Sequence, residues 1–320
     1  MRVKAAFPRT DKRSVTNFSA RPLRYGIALV LAVLVAAGAL VRAQAPAPAP
    51  AGVNRGLIWT VEKGGRSGWL VGSLHLLTAD AYPLPPALDA AFAAADVLVE
   101  EANPEELKTP AAAMQLVAKA MYPPGTTLQS QVSKETFEKI AKRAEKIGLP
   151  IDRLQAFKPW MVALTLVGLE LQKGGFDPGL GLDQHFLNRA PGAGKKVRTL
   201  ETAMEQIDFL ESLSPQLQEG LVAASLEGAE TELAQVQRIA AAWKAGDTVP
   251  IERVLLTDMK SGGQAVYDTL LVGRNRRWVP QIEDCLAQQK CFVVVGAAHL
   301  VGPDSVVALL RAKGYTVTQK

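Results

Sequence analysis

The sequence predicts an α/β protein with a mixed central sheet and a helical insertion, about residues 104–246, that forms one wall of a cleft. Short apolar runs typical of buried strands occur on both sides of this insertion. Between them, Ala, Leu, Glu, Lys and Gln dominate, and apolar residues recur at helical spacing. An order of strands, helices and again strands with helices between them is typical of the α/β class.

The individual elements follow from the same patterns. A glycine-rich turn joins the first two strands, which predicts an opening hairpin. An alanine-rich helix then leads to a short buried strand that ends in two carboxylates. Strands are predicted over 55–63, 69–72, 96–101, 195–201, 291–295 and 315–318, and helices outside the insertion over 87–95, 264–288 and 303–313.

The N-terminus has the order of features found in a secretory signal. A basic segment is followed by a nearly pure apolar run over 25–41, and Val41 and Ala43 are small residues in the pattern that a signal peptidase reads. We therefore predict a signal peptide over 1–43 and an Ala/Pro linker over 44–54, with a periplasmic or extracellular location. An uncleaved segment would instead anchor the chain to the inner membrane.

The charge balance changes once this segment is set aside. Residues 44–320 carry 28 Lys or Arg and 30 Asp or Glu. The sequence pI of about 9.1 is therefore due to the basic residues of the predicted signal. Nucleic-acid binding needs a clustered basic face, and none is predicted. The expected partner is therefore a peptide or another small substrate, with membrane contact only through an uncleaved N-terminus.

The chain has two cysteines, Cys285 and Cys291, six positions apart. In an oxidising compartment they can form a disulfide between a helix end and the last core strand. Two reduced cysteines are the alternative. A thiolate metal site is not expected, since no further cysteine is available.

Two of the three histidines sit in matching settings. His75 follows Gly72 and His299 follows Gly296, each in a Gly-x-x-His-Leu segment after an apolar strand. Histidine is the side chain best suited to bind a metal or to move a proton near neutral pH. We therefore interpret the pair as the core of an active site.

Carboxylates end two other predicted strands. Glu100 and Glu101 close one of them, and Glu201 closes another. Open α/β sheets bind ligands outside the carboxyl ends of their strands, so these groups meet the histidines where the strands are neighbours. Alternation along a strand sends Glu100 and Glu101 to opposite faces, which leaves one of them in the site.

Such a set supports two kinds of chemistry. Two imidazoles and a carboxylate can hold a divalent cation, which lowers the pKa of a bound water. The same residues can act without metal as acid and base. Arg274 and Asn275 are predicted to donate hydrogen bonds to a substrate carboxylate or carbonyl, and Glu201 to support the site.

Two further polar residues receive minor roles. His185 is interpreted as a third ligand or, preferably, as a packing residue on a helix capped by Asp183. Ser73 lies two residues from His75, and side chains at that spacing seldom bond, so no serine nucleophile is expected. The sequence contains no Gly-x-Ser-x-Gly motif and no P-loop.

Five short segments occur in a fixed order over about residues 57–318: Gly72–Leu76, Asp96–Glu101, Leu200–Thr202, Arg274 and Asn275 before Trp278, and Val295–Gly302. At these segments the chain resembles the TraB/GumN family, which has the Tiki proteins as animal relatives. The resemblance implies an α/β fold shared with erythromycin esterase and ChaN-like proteins. It also implies a site built from both Gly-x-x-His motifs, the glutamate and the Arg-Asn pair.

For Tiki members the resemblance implies a protease that depends on manganese or cobalt. Glu101 matches the family pattern better than Glu100. Asn103 departs from it, because many relatives have an acidic residue there, which weakens a second metal contact if one exists.

Three functions follow as hypotheses. The first is an exported metal-dependent hydrolase that cleaves peptide bonds, with Mn, Co or Zn held by His75, Glu101 and His299. The second is a non-enzymatic periplasmic protein that binds a peptide or pheromone. The third is a metal-free, esterase-like hydrolase.

Overall fold

A single mixed sheet organises the chain, and the predicted α/β class is confirmed. The computed structural model describes residues 55–226, 229–261 and 264–320. The strands are β1 (Leu57–Lys63), β2 (Arg66–Ser73), β3 (Val97–Glu100), β4 (Lys196–Thr199), β5 (Cys291–Gly296) and β6 (Thr316–Gln319). Their order across the sheet is β4-β3-β5-β2-β1-β6.

The four strands that precede the candidate residues run parallel. β5 pairs in parallel with both β2 and β3, and β3 pairs in parallel with β4. The hairpin strand β1 is antiparallel to β2 and to β6. Parallel strands end at one edge of a sheet, so the carboxyl ends of β2, β3, β4 and β5 lie side by side.

Helices surround this sheet and fill the two long crossovers beside β4. The described α-helices are α1 (Pro86–Ala94), α2 (Pro110–Ala120), α3 (Leu128–Gln131), α4 (Lys134–Lys146), α5 (Pro159–Lys173), α6 (Leu182–Arg189), α7 (Ala203–Glu211), α8 (Pro215–Leu226), α9 (Ala229–Ala245), α10 (Thr248–Ser261), α11 (Gln264–Tyr267), α12 (Gly273–Gln288) and α13 (Val306–Ala312). The helical insertion is therefore divided by β4, with α2 to α6 before the strand and helices from α7 onwards after it.

The two faces of the sheet carry different helices. Phe292 of β5 stacks edge-on against Phe92 of α1 and Phe186 of α6. Gly68 alternates with Trp69, the residue level with Phe292, so it faces the other way. A Cβ on Gly68 would collide with Leu286 of α12, which places α12 on the opposite face.

The prediction of one continuous helix over 264–288 is wrong in one respect. A π-helical turn, Asp268–Val272, interrupts it between α11 and α12. Apolar spacing does not reveal such a turn, because it inserts only one extra residue into a run that stays helical. The turn lies directly before Arg274, and the Leu270 carbonyl accepts a hydrogen bond from the Arg274 guanidinium at 3.2 Å. π-turns are frequent at functional sites.

The predicted disulfide is present. Cys285 of α12 and Cys291 of β5 are bonded, with their Cα atoms 6.3 Å apart. Both residues are buried. The bond therefore ties the end of α12 to the start of the central strand that leads into the candidate site.

Replacing both cysteines by serine is expected to lower the free energy of unfolding by about 2 kcal/mol, because the closed loop is short. Urea denaturation of the double variant beside the wild type measures the difference. Intact mass after alkylation without reductant checks the bond itself. A mass increase for two alkyl groups on the unreduced wild type would refute the disulfide.

The predictions for the N-terminus concern residues outside the described part of the chain. The signal peptide over 1–43 and the linker over 44–54 both fall there, so both stay predictions. Within the described ranges, no helix combines the length and the apolar character needed to cross a bilayer.

Candidate active site

The structure brings the predicted residues together at the carboxyl edge of the sheet. His75 follows β2, Glu101 follows β3 and Glu201 follows β4, while His299 lies in a 3₁₀ turn directly after β5. All four side chains are buried. Glu101 Oε1 lies 3.7 Å from His299 Nε2. The strand order explains this meeting, because β5 sits between β2 and β3.

The missing side chain of Gly296 leaves a small space between Glu101, His75 and His299. A Cβ at this position would lie 3.1 Å from Glu101 Oε1 and 3.6 Å from both His75 Nε2 and the His299 ring. The backbone angles of Gly296 (φ −51°, ψ 137°) are accessible to any residue. Glycine is therefore needed here for room and not for conformation.

Arg274 is the charged centre of the site. Its guanidinium donates to Glu101 Oε2 at 2.8 Å and to Glu201 through two nitrogens at 2.5 to 3.2 Å. Burial lowers the pKa of Arg274, but the charges of Glu101 and Glu201 outweigh burial and raise it. With its N–H groups directed to protein acceptors, Arg274 positions carboxylates, and contact with a substrate would cost it an existing bond.

His299 is held as a neutral imidazole. Arg274 can only donate, so His299 Nε2 accepts from Arg274 Nη1 at 3.1 Å. His299 Nδ1 then carries the hydrogen and donates to Asn275 Oδ1 at 2.6 Å. Burial and the nearby Arg274 charge hold the pKa of His299 well below its usual value.

Asn275 has both ends of its amide engaged. Besides accepting from His299, it donates to the Asp304 carbonyl at 2.8 Å, and it is fully buried. The geometry therefore supports Arg274 and Asn275 as residues that orient the site, whereas the sequence suggested direct substrate contact.

Gln206 of α7 is a site residue that the sequence did not reveal. Its amide donates to Glu101 Oε2 at 3.2 Å and to Glu201 Oε1 at 3.0 Å. A capping box of Thr202 and Glu205 fixes the start of α7. The sequence showed only a helical pattern in this region, and nothing in it marked Gln206 as part of a site.

His75 has a different environment, on the α6 side. Its Nδ1 lies 2.8 Å from Asp183 Oδ2, which also accepts from Ser73 Oγ at 2.5 Å. A carboxylate can only accept, so Nδ1 carries the hydrogen and Nε2 has the free lone pair. Burial lowers the pKa of His75, but the charge and hydrogen bond of Asp183 outweigh it and raise the pKa above 6.5.

The role assigned to Asp183 is corrected by this contact. Gly181 is the N-cap of α6, and no side chain caps the helix. Asp183 instead lies inside the first turn and orients His75. A cap residue and a carboxylate that contacts a neighbouring strand end cannot be told apart in the sequence here, because only the packing of α6 against the sheet decides between them.

The two remaining candidates lie outside this network. His185 Nε2 accepts from Arg189 Nη1 at 2.9 Å, and its ring packs on Tyr82 and Phe186. Glu100 is 1% exposed, and neither carboxylate oxygen has a hydrogen-bond partner among the described residues. Burial, followed by the charge of Asp183, raises the pKa of Glu100 well above its usual value.

The predicted metal ligands do not fit a metal in this arrangement. Glu101 Oε1 accepts from the Gly296 N–H at 2.5 Å, its Oε2 accepts from Arg274 and Gln206, and both nitrogens of His299 are bonded. The Arg274 guanidinium thus occupies the position beside Glu101 and His299 that a metal cation would take. Among the described residues, no group of three or more His, Cys, Asp or Glu could hold a metal ion. A metal at His75, Glu101 and His299 stays a prediction without geometric support.

Comparison with known proteins places this site in a family. A model described as the TraB/PrgY/gumN family matches residues 57–319. The chain belongs to the TraB/PrgY/gumN family. The match spans all six strands and every residue of the network around Arg274 and His75.

Two relatives align with most of this chain. The chain is 27% identical over 248 residues to the "Uncharacterized protein YbaP" of Shigella flexneri and to that of Escherichia coli strain K12. Each alignment covers 78% of this chain and 89% of the relative. No solved structure matches the chain significantly.

Proposed function

We propose that this family member is an exported hydrolase of peptide or other acyl bonds, in which His75 activates the attacking water without a metal. One observation carries the proposal: His75 Nδ1 is bound by Asp183, while Nε2 faces the space at Gly296 beside Glu101 Oε1. This is the arrangement of a base held by an orienting carboxylate.

The reaction balances with residues of this chain alone. Water attacks the acyl carbon and transfers a proton to His75 Nε2. Asp183 stabilises the imidazolium that forms, in line with the raised pKa of His75. When the tetrahedral intermediate collapses, the same proton passes from His75 to the leaving amine or alcohol. Glu101 Oε1 accepts the second hydrogen of the water and orients it.

The rest of the network keeps Glu101 in place. Arg274 and Gln206 hold one carboxylate oxygen, and the Gly296 N–H holds the other. His299 stays neutral and packs against Trp278, with ring centroids 4.4 Å apart. Buried polar groups with complete partners rigidify a site, and a general base needs such fixed geometry.

Export is supported by the disulfide, since such bonds persist mainly in oxidising compartments. The predicted signal over 1–43 agrees with it. Fractionation of cells that express the tagged chain, followed by N-terminal sequencing, tests both. Recovery from the cytoplasm with residues 1–43 attached and free thiols would contradict export.

A peptide-library digest and a panel of esters test the activity. New peptide termini or released alcohol, unchanged after extensive chelation, are expected. Activity that chelation abolishes and Mn or Co restores would favour the metal-dependent form. Retained peptides without new termini would favour the binding protein.

Gly296→Ala is expected to lower kcat at least about 100-fold, because the added methyl fills the space where His75 and Glu101 meet the water. The variant should still fold, with the free energy of unfolding lowered by about 1 to 3 kcal/mol, because the methyl would lie 3.1 Å from Glu101 Oε1. Steady-state kinetics and urea denaturation measure the two effects. Gly192→Ala is the matched control, since its nearest neighbour is 3.8 Å away. Full activity of Gly296→Ala would show that the reaction does not need the space at Gly296.

A further inference from the structure

The central sheet has two edge strands, β4 and β6. Among the strands described here, β6 pairs only with β1, and β4 pairs only with β3. An edge strand presents a row of backbone N–H and C=O groups that its single partner strand does not use. Such a row is either covered by other parts of the protein or open to pairing with another chain.

The outer edge of β6 is closed by a side chain. The Lys320 N–H bonds to the Ile58 carbonyl, so alternation along β6 directs the backbone groups of Val317 away from β1. The Val317 carbonyl accepts hydrogen bonds from the Arg311 guanidinium at 2.6 and 3.2 Å. Arg311 therefore occupies the position that an added strand would need.

The outer edge of β4 has no such cover. The Leu200 N–H bonds to the Glu100 carbonyl of β3 at 3.0 Å. Alternation along β4 therefore turns the backbone groups of Val197 and Thr199 outward. None of the described residues forms a hydrogen bond with these outward groups, and Val197 is 37% exposed. The outer edge of β4 is thus open.

Basic side chains lie along this open edge. Lys196 and Arg198 share one face of β4, because they are two positions apart. Lys196 is exposed and forms no ion pair with a described residue, while Arg198 is half-buried and contacts Asp284 at 3.2 Å. Val197 and Thr199 lie on the opposite face. A strand that matches this edge therefore has acidic residues on one face and apolar residues on the other.

The same charges disfavour a second copy of this chain as the occupant. Two β4 edges paired about a two-fold axis would place their Arg198 side chains opposite each other, with Lys196 beside them on the same face. Like charges directly opposite destabilise a strand pair. An acidic extended peptide brings the opposite charge, and its backbone supplies partners for the outward groups of β4.

We propose that the outer edge of β4 binds an extended peptide segment of alternating acidic and apolar residues, which adds to the sheet as a seventh strand. In strand addition, main-chain hydrogen bonds supply affinity and side-chain contacts supply specificity. β4 leads directly into Glu201, so a segment bound along β4 extends towards the sheet edge that carries the candidate active site. Peptide binding at β4 is separate from the proposed hydrolysis, because it is measured without turnover.

Titration of a fluorescein-labelled heptapeptide of alternating Glu and Val with the purified protein, followed by fluorescence anisotropy, tests this edge. Val197→Pro removes an outward N–H group and leaves the pairing with β3 intact, because an edge strand tolerates proline where the N–H faces outward. We expect Val197→Pro to weaken peptide binding at least tenfold. Val197→Thr keeps the N–H group and is the matched control, with the affinity of the wild type.

A second variant tests the charge and serves if Val197→Pro does not fold. Lys196→Glu is expected to weaken binding at least tenfold at low salt, because it places like charge beside the acidic face of the peptide. Lys134→Glu on α4 is its control, since the Lys134 side chain is 90% exposed on another element, and it should bind like the wild type. A heptapeptide of alternating Lys and Val should not bind.

Hydrogen exchange reports the backbone pairing without any variant. Exchange at the amides of Val197 and Thr199 should slow when the acidic peptide binds, whereas exchange in β6 should stay unchanged. The proposal is overturned by no peptide binding to the wild type, by wild-type affinity in folded Val197→Pro or Lys196→Glu, by equal loss in a control, or by unchanged exchange in β4. Self-association of the wild type that Val197→Pro abolishes would assign the edge to a second copy and reject the peptide.

Discussion

Replacing His75 by Asn is expected to lower kcat by about 10²- to 10⁴-fold, the usual contribution of a general base. The Asn amide can still donate to Asp183 from the position of Nδ1, so the carboxylate keeps a partner. What is lost is the lone pair of Nε2 beside the Gly296 space. Initial rates on the best peptide or ester from the digest, at saturating substrate, measure the effect.

The matched control for this change is His185→Gln. His185 contacts Arg189 and Tyr82 away from the Gly296 space, so its replacement should leave kcat unchanged. Asp183→Asn should lower kcat in the same direction as His75→Asn, since it removes the carboxylate that fixes the imidazole. Undiminished kcat in a folded His75→Asn protein would eliminate His75 as the base.

Replacing Arg274 by Met is expected to lower the free energy of unfolding by about 3 to 5 kcal/mol, because it leaves two buried carboxylates without their cation. Glu101 and Glu201 together lose four hydrogen bonds from the guanidinium, which have lengths of 2.5 to 3.2 Å. The Leu270 carbonyl and His299 Nε2 also lose their donor. Urea denaturation followed by circular dichroism measures the change.

Arg277→Met is the control for the loss of a positive charge from the same helix. Arg277 is 53% exposed and its nearest approach to Glu201 is 3.9 Å. An exposed pair of this kind contributes little, so the expected change is within about 1 kcal/mol. Equal destabilisation by the two replacements would show that Arg274 is not the electrostatic centre of the fold.

The sequence predicted β3 and β5 well because each is a short apolar run closed by a polar or glycine residue. Predicted and described bounds of β3 and β5 differ by at most two residues at either end. The paired Gly-x-x-His segments also located both histidines, since a scarce residue in a repeated setting is informative without any knowledge of contacts.

The partners of those histidines could not be predicted in the same way. Asp183 lies 108 positions from His75, and Gln206 lies 105 positions from Glu101. Such pairs depend on which face of the sheet a helix covers, and nothing local in the chain records that choice. The roles of Arg274 and Asn275 changed for the same reason, because their neighbours proved to be protein groups.

The sequence by itself determined the α/β class, the family resemblance, the cysteine pair and the position of polar residues at strand ends, since all of these depend on local pattern. Tertiary structure alone decided the strand order, which joins the four strand ends at one edge. It also divided the two adjacent glutamates between two environments: Glu101 beside a guanidinium and Glu100 without a partner. Side-chain alternation places neighbouring residues on opposite faces, and only the helices packed on each face determine what those residues meet.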